Sequence, residues 1–158
     1  YKLYTWLPII ILFVSVFNEF DFNYLNIEYF SFNFPFILIF YFSLKEHSHF
    51  DTFLVFVAGL VNDTVVGLPL GLSSLSYILI CIFASYLRNI TIRPSLIKDW
   101  FYFLFTISLI NSINYSILFL FFSYELDLIF YLINNFFTFL FYIFFTTIFS
   151  RYLRGMDE

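Results

Sequence analysis

The sequence predicts an all-α integral membrane protein with six transmembrane helices and both ends on the cytoplasmic side. Three observations predict this class. Of the 158 residues, 62% are hydrophobic and only 11% are charged, whereas soluble domains are about 25% charged. Six apolar runs follow one another along the chain. The Lys and Arg residues lie only in alternate segments between these runs, as cytoplasmic loops do.

The six runs are separated by short charged or turn-like stretches. A transmembrane helix needs roughly 20 apolar residues, with a range of about 17–25. The last three runs meet this length, whereas the first two must include flanking residues such as Asn18 and Tyr29. The predicted helices cover residues 3–18, 30–45, 50–66, 70–88, 100–122 and 128–150, within a single transmembrane domain over residues 1–158.

The charged residues determine the predicted orientation. The N-terminus, the second and fourth connections and the C-terminus contain all the basic residues: Lys2, Lys45, Arg88, Arg93, Lys98, Arg151 and Arg154. The first and fifth connections contain acids instead: Glu19, Asp21, Glu28, Glu125 and Asp127. Since positive residues mark cytoplasmic loops, the termini and the even connections are predicted inside. Merging or dropping a helix would place basic residues on both sides.

Several classes of function have no support in the composition. A net charge of −4 argues against nucleic acid as a partner, because phosphate binding needs clustered Lys and Arg. The single Cys81 predicts a packed residue without a disulfide. His47 and His49 lack a third ligand, so no metal site is predicted. We find no nucleophile–base pair and no phosphate-binding loop, and therefore predict no enzyme activity and no cofactor. The first run has no small-residue cleavage site and is interpreted as a retained helix.

One stretch combines small and polar residues. Gly59, Asp63 and Gly67 are four residues apart, so on a helix they share a face, with Asn62 beside them. Small residues let helix backbones approach closely, and polar residues bond across the contact. This face is predicted to contact protein, as structural support or as a partner-interaction surface. Beyond it, Gly67, Pro69 and Gly71 predict a tight outer connection between the third and fourth helices.

Asp63 is the one acid within the predicted apolar runs. A charged side chain near the bilayer centre costs about 2.5–3.5 kcal/mol on insertion scales, although the predicted orientation places Asp63 towards the outer leaflet. Three interpretations stay open. Asp63 caps the following turn or bonds nearby backbone, or it contributes to a helix–helix or partner contact, or it takes part in ion or proton transport.

Two further polar stripes recur at helical spacing. They comprise Ser108, Asn111, Ser112 and Tyr115 on the fifth helix, and Asn134 or Asn135, Thr138 and Tyr142 on the sixth. Hydrogen bonding between helices is the main interpretation, and a polar translocation path is the alternative.

The stretch from residue 59 to residue 71 resembles the signature of the bacterial rod shape-determining protein MreD family. That family has a G-L-x-x-D segment, then a G-x-P-L-G turn and another membrane helix. The matching residues are Gly59, Leu60, Asp63, Gly67, Pro69, Leu70 and Gly71. Length, helix count and a short basic C-terminus extend the resemblance over most of the chain. Where members often carry a Trp and then a Pro around the end of the second helix, this chain has Tyr41 and Lys45-Glu46-His47.

The resemblance implies a non-catalytic inner-membrane subunit of the cell-elongation complex, in contact with membrane lipid. Members associate with MreC, and through it with the MreB filament and the peptidoglycan synthases. The family is also distantly similar to the six-helix, substrate-binding S-components of energy-coupling-factor transporters, which implies an S-component-like bundle. It leaves an alternative function, a small-molecule-binding subunit of a membrane transporter. That alternative requires an outer cavity of roughly 300 Å³ or more near Asp63 and Pro69.

Overall fold

A computed structural model of the chain describes residues 2–17, 31–45, 50–125 and 127–157. These residues form six α-helices: α1 (Lys2–Phe17), α2 (Phe34–Leu44), α3 (Thr52–Val66), α4 (Leu72–Ile90), α5 (Leu96–Phe122) and α6 (Leu128–Asp157). The prediction of an all-α chain with six helices is therefore confirmed. Three of them, α4, α5 and α6, are long and apolar enough to span a membrane.

The other three helices are shorter. The described apolar part of α1 is Trp6–Phe17, α2 has 11 residues and α3 has 15. At about 1.5 Å per residue, α2 extends about 16 Å, which is about half of a hydrocarbon core roughly 30 Å thick. By length and composition, three of the helices could thus cross a membrane, and six complete crossings stay a prediction.

Three helix boundaries differ from the predicted ones by four residues or more. α2 begins at Phe34 instead of residue 30, because the Asn33 side chain caps it by accepting a 3.3 Å hydrogen bond from the Phe36 N–H. α5 begins at Leu96 instead of residue 100, directly after Ser95 as its N-cap, so its first turns are more polar than an apolar run. α6 continues to Asp157 instead of residue 150, since Arg and Leu are good helix formers whether or not they face lipid.

α2 is the inner helix of the bundle. Nine of its eleven residues are buried, as expected for a helix that is hydrophobic all round. α1, α4 and α6 pack against it, while α3 contacts α1 and α4, and α5 contacts α4 and α6. The five outer helices therefore enclose a short core helix.

The basic residues meet at one end of the bundle. The Arg88 guanidinium, in the last turn of α4, donates a 2.9 Å hydrogen bond to the Ser43 carbonyl at the end of α2. A cation at this place complements the negative end of the α2 dipole. The same end holds Lys45, Lys98, Arg151 and Arg154 at the ends of their helices. We call it the basic end, and we call the opposite end, with the α3–α4 turn (67–71), the turn end.

Candidate functional site

Asp63 caps the helix that follows it. Its side chain is 0% exposed. Oδ2 accepts a 2.7 Å hydrogen bond from the Gly71 N–H, and Oδ1 accepts a 2.9 Å bond from the Ser73 N–H. Gly71 is the N-cap residue of α4 and has no side chain to cap it, so a carboxylate from α3 does so. A negative group at the positive end of a helix is favourable. Of the three interpretations, this geometry is that of a cap.

The α3–α4 turn is held by the Asp63 backbone as well. The Asp63 carbonyl accepts hydrogen bonds from the Gly67 N–H at 3.0 Å and the Leu68 N–H at 2.9 Å. Gly67 has φ +77° and Gly71 has φ +100°, a left-handed region that strains other residues. The prediction that Gly67 shares a helix face with Gly59 and Asp63 is wrong, because α3 ends at Val66 and Gly67 is its C-cap. The turn itself lies at the predicted residues 67–71, and the Pro69 carbonyl accepts a 3.2 Å bond from the Leu72 N–H.

Gly59 allows α3 and α4 to approach closely. A Cβ atom on Gly59 would overlap Ser74 Cα and lie 2.6 Å from Ser74 N. The Ser74 hydroxyl donates a 3.0 Å hydrogen bond to the Phe56 carbonyl, and the Asn62 amide donates a 2.8 Å bond to the Ser73 hydroxyl. Gly59, Asn62 and Asp63 thus all act on the Ser73–Ser74 pair. Sequence reasoning missed these two serines, although small polar residues directly after a turn glycine indicate a helix start.

A polar chamber of about 290 Å³ lies at the turn end of the bundle. All six helices contribute to its wall. The N-terminal turn of α2, the core helix, forms part of the wall, since Phe34, Pro35 and Phe36 line the chamber. The polar lining residues are Ser15, Asn33, Asn62, Ser73, Ser76, Tyr77, Asn111, Asn114, Tyr131 and Asn134. Its volume is at the lower limit of about 300 Å³ for ligand pockets, so the transporter alternative is not removed.

The chamber amides retain unused hydrogen-bonding capacity. A carboxamide has two donor hydrogens and an acceptor oxygen with two lone pairs. In the described part of the chain, the side chains of Asn62, Asn111 and Asn134 make one hydrogen bond each, to Ser73, Asn135 and Ser31 respectively. Asn114 bonds only the Ser76 hydroxyl, at 2.8–3.0 Å. Each of these side chains therefore keeps polar atoms for another partner.

Only some residues of the predicted polar stripes on α5 and α6 form hydrogen bonds to other parts of the chain. Asn111 bonds Asn135, Asn134 bonds Ser31 at 2.9 Å, and the Thr138 hydroxyl accepts from the Asn33 N–H at 2.9 Å. Ser112 is different, because it is exposed and donates back to the Ser108 carbonyl. Tyr142 stacks on Phe103 with centroids 4.4 Å apart. Sequence reasoning missed Asn114, although its spacing of three from Asn111 would have placed it on the same side of the helix.

A second acid, which lies outside the predicted apolar runs, is also buried in the bundle. Asp99 is 6% exposed and lines a cavity of about 210 Å³ at the basic end, with Lys45, Tyr142 and Ser150. Sequence reasoning missed Asp99 because it started the fifth helix at residue 100, whereas α5 begins at Leu96 and therefore includes Asp99 as a buried helix residue.

The remaining predicted residues add no chemistry to these two sites. Cys81 is a buried free thiol whose sulfur accepts a 3.4 Å hydrogen bond from Ser43. His47 and His49 lie outside the described residues, as do Glu19, Asp21 and Glu28. Among the residues that the structure does describe, no group of three or more His, Cys, Asp or Glu could hold a metal ion.

Comparisons with known proteins bring no relative to this chain: no protein-family model matches it, and neither a curated protein nor a solved structure does. The resemblance to the MreD family stays a prediction that rests on the signature residues.

Proposed function

We propose that this chain is a non-catalytic membrane subunit of the bacterial cell-elongation complex, of the MreD type, that docks MreC and helps to position peptidoglycan synthesis. The observation that carries the proposal is the α3–α4 hairpin (52–90). There the residues of the G-L-x-x-D and G-x-P-L-G segments act as one unit, with Gly59 at the helix contact, Asp63 as the cap and Gly67 and Gly71 at the turn.

In this proposal Asp63 supports the docking surface from inside and does not touch the partner. A side chain with 0% exposure cannot reach a second protein without breaking its two hydrogen bonds. Its role is to hold the start of α4 against α3, so that the outer faces of the hairpin have one defined shape.

The proposed site of action is the bacterial inner membrane, with the basic end in the cytoplasm. The supporting argument is the meeting of the Lys and Arg residues at that end, since cytoplasmic segments are rich in them. Large apolar side chains on the outer faces of the long helices, such as Ile82, Phe105 and Phe144, suit contact with lipid. The turn end then faces the periplasm, where a wall-synthesis partner would have its extramembrane domain.

Affinity purification from crosslinked native membranes tests the proposal. We expect the tagged chain to enrich MreC and peptidoglycan synthases over membranes that carry an unrelated tagged protein. Asp63→Asn should reduce MreC recovery at equal amounts of chain in the membrane, because a distorted hairpin no longer presents the docking surface. Glu125→Gln is the matched control, since Glu125 is an exposed acid outside the helices. Failure of the unaltered chain to enrich MreC would remove the proposal.

The chamber favours a second candidate, a small-molecule-binding subunit of a membrane transporter. The chamber has a volume of about 290 Å³ and lies at the turn end, where such a subunit would take up a solute from outside. The same purification separates the two candidates. Recovery of a pair of transporter ATPases without wall-synthesis proteins would make the transporter function the leading one.

A further inference from the structure

The cavity at the basic end holds a buried carboxylate that lacks a partner. Asp99 of α5, Tyr41 of α2 and Tyr142 of α6 all line this space of about 210 Å³, and they are 6%, 4% and 1% exposed. Within the described part of the chain, the Asp99 carboxylate and the two phenol hydroxyls make neither a hydrogen bond nor an ion pair. Because an unpaired buried carboxylate is costly, the cavity indicates a ligand with a positive charge.

Three hydroxyl groups of α6 in the wall of this cavity are acceptors. Thr146 and Thr147 both donate to the Ile143 carbonyl at 2.9 Å, and Ser150 donates to the Thr147 carbonyl at 2.9 Å. Their hydrogens are therefore used inside the helix, whereas their oxygens can still accept. Together with the carboxylate they form a set of acceptors. A primary ammonium group suits such a set, because it has three N–H donors and no acceptor.

An apolar groove adjoins the cavity on the outer surface of α5 and α6. It has a volume of about 580 Å³, and its wall includes Leu140, Ile143, Phe144 and Ile148 of α6. Thr147 lines both the groove and the cavity, so the two spaces meet at this residue. A groove of this composition on a membrane helix suits a hydrocarbon chain.

Trp100 and Arg151 complete the wall of the groove. The Trp100 indole N–H donates a 2.7 Å hydrogen bond to the Phe139 carbonyl, and its ring stacks on Phe139 with centroids 4.4 Å apart. Arg151 is exposed, and its guanidinium has no partner among the described residues. Trp and Arg side chains are typical of the depth at which lipid head groups lie, and a guanidinium matches the geometry of a phosphate. The groove therefore leads from apolar side chains to a group that can bind phosphate.

We infer that the α5–α6 surface at the basic end binds one phospholipid with a primary ammonium head group, of the phosphatidylethanolamine class. An acyl chain lies in the groove, the phosphate meets Arg151, and the ammonium enters the cavity and bonds the Asp99 carboxylate. The occupant is a lipid and not a free amine, because the adjoining groove offers hydrocarbon contact to the same molecule. This inference goes beyond both functions proposed above, since neither of them requires a lipid site.

Three phospholipids with identical acyl chains test the head-group selectivity. The purified, delipidated chain in detergent is titrated with phosphatidylethanolamine, phosphatidylcholine and phosphatidylglycerol, and bound lipid is counted by native mass spectrometry. We expect one saturable phosphatidylethanolamine site and at least about tenfold weaker binding of the other two, the effect of losing a charged hydrogen bond. Phosphatidylcholine has no N–H donors, and phosphatidylglycerol has no cation. Any other order of affinity, or no saturable site, would overturn the inference.

Two substitutions separate the ammonium contact from the phosphate contact. Asp99→Asn should weaken phosphatidylethanolamine binding about tenfold and should not weaken phosphatidylglycerol binding. Arg151→Gln should weaken both lipids, because both carry the phosphate. Glu125→Gln and Arg93→Gln are the matched controls, since both residues are exposed and neither lines the cavity or the groove. An equal loss for the two lipids in Asp99→Asn, or no loss for phosphatidylethanolamine, would contradict the assignment.

Melting temperatures in lipid-free detergent test whether Lys45 is the partner of Asp99 instead. Lys45 also lines the cavity, but its side chain is exposed and forms no ion pair with Asp99. Asp99→Asn should therefore leave the melting temperature unchanged or raise it, because it removes an unpaired buried charge. A fall in melting temperature that Lys45→Gln reproduces would identify an internal ion pair and overturn the inference. None of these measurements depends on MreC, so their failure leaves the elongation-complex proposal standing.

Discussion

At the residue scale, Asp63 illustrates how a carboxylate becomes tolerable inside an apolar bundle. Its two oxygens accept from the Gly71 and Ser73 N–H groups, which a helix start would otherwise leave without partners. The carboxylate and the helix start therefore satisfy each other. Removing either one leaves the other buried and unpaired, a cost larger than the net value of the bonds.

Asp63→Asn should destabilise the protein although the side chain keeps its size. The amide can accept only one of the two hydrogen bonds, and its NH₂ group would face an N–H donor. Charged hydrogen bonds are worth about 1.5–3 kcal/mol each, so we expect a loss of that order. Thermal unfolding in detergent measures it, with Glu125→Gln as the exposed acid for comparison. A melting temperature equal to that of the unaltered chain would contradict the capping role.

Gly59 gives a second prediction at this scale, with a control in the same chain. Gly59→Ala should destabilise by about 1–3 kcal/mol, the usual cost of overpacking, because the added Cβ meets the Ser74 backbone. Gly155→Ala in α6 has nothing within 4 Å of the added Cβ and should be neutral or stabilising, by up to about 1 kcal/mol. Denaturation in the same detergent measures the stability of both variants. A smaller loss of stability for Gly59→Ala than for Gly155→Ala would refute the close contact.

The sequence identifies Asp63 and Gly59 as unusual residues, but it does not identify their partners. An acid and a glycine in an apolar run stand out by residue type alone. Their partners, Ser73 and Ser74, lie ten and fifteen residues further on and meet them only after the turn has reversed the chain. Asp99 shows a different limit of sequence reasoning. The fifth helix was predicted to start four residues too late, and this error was enough to place a buried helix residue in a loop.

At the scale of the element, the start of α2 lies in the wall of the chamber. Phe30, Phe32 and Phe34 alternate with Ser31 and Asn33, and a reading by hydropathy alone counts all three in the apolar run, so it starts the helix too early. The polar Asn33 within that run and the Pro35 after it mark the true start, since a capping residue followed by proline is typical of a helix N-terminus. Capping chemistry therefore carries information about this boundary that the hydrophobic pattern does not.

Asn33→Ala should destabilise α2, whereas Asn33→Ser should retain most of the stability. The Asn33 side chain accepts from the Phe36 N–H, a bond that Ala cannot make and that a Ser hydroxyl can. Loss of an N-cap costs about 0.5–2 kcal/mol. Unfolding of the two variants by heat measures the difference. If Ala and Ser cost the same, the cap is not what begins α2 at Phe34.

At the scale of the whole molecule, the charge pattern predicts more of the arrangement than the helix lengths do. The alternate placement of Lys and Arg predicts which helix ends meet, and Arg88 and Ser43 do meet at the basic end. Helix length is less informative, because a short core helix such as α2 is protected by its neighbours and need not cross the hydrocarbon region by itself. The number of crossings is therefore the property of this bundle that most needs a direct measurement.

Cysteine labelling tests whether the short helix α3 crosses the membrane. Cys81 is first replaced by Ala, and single cysteines are then introduced as Lys45→Cys, Leu70→Cys and Arg93→Cys, all at exposed positions. With six crossings and the basic end inside, a membrane-impermeant maleimide should label position 70 in intact cells, and positions 45 and 93 only after permeabilisation. Since α4 is long enough to span, positions 70 and 93 should differ in any case. Labelling of positions 45 and 70 from the same side would mean that α3 does not cross, and the six-crossing arrangement would then be wrong.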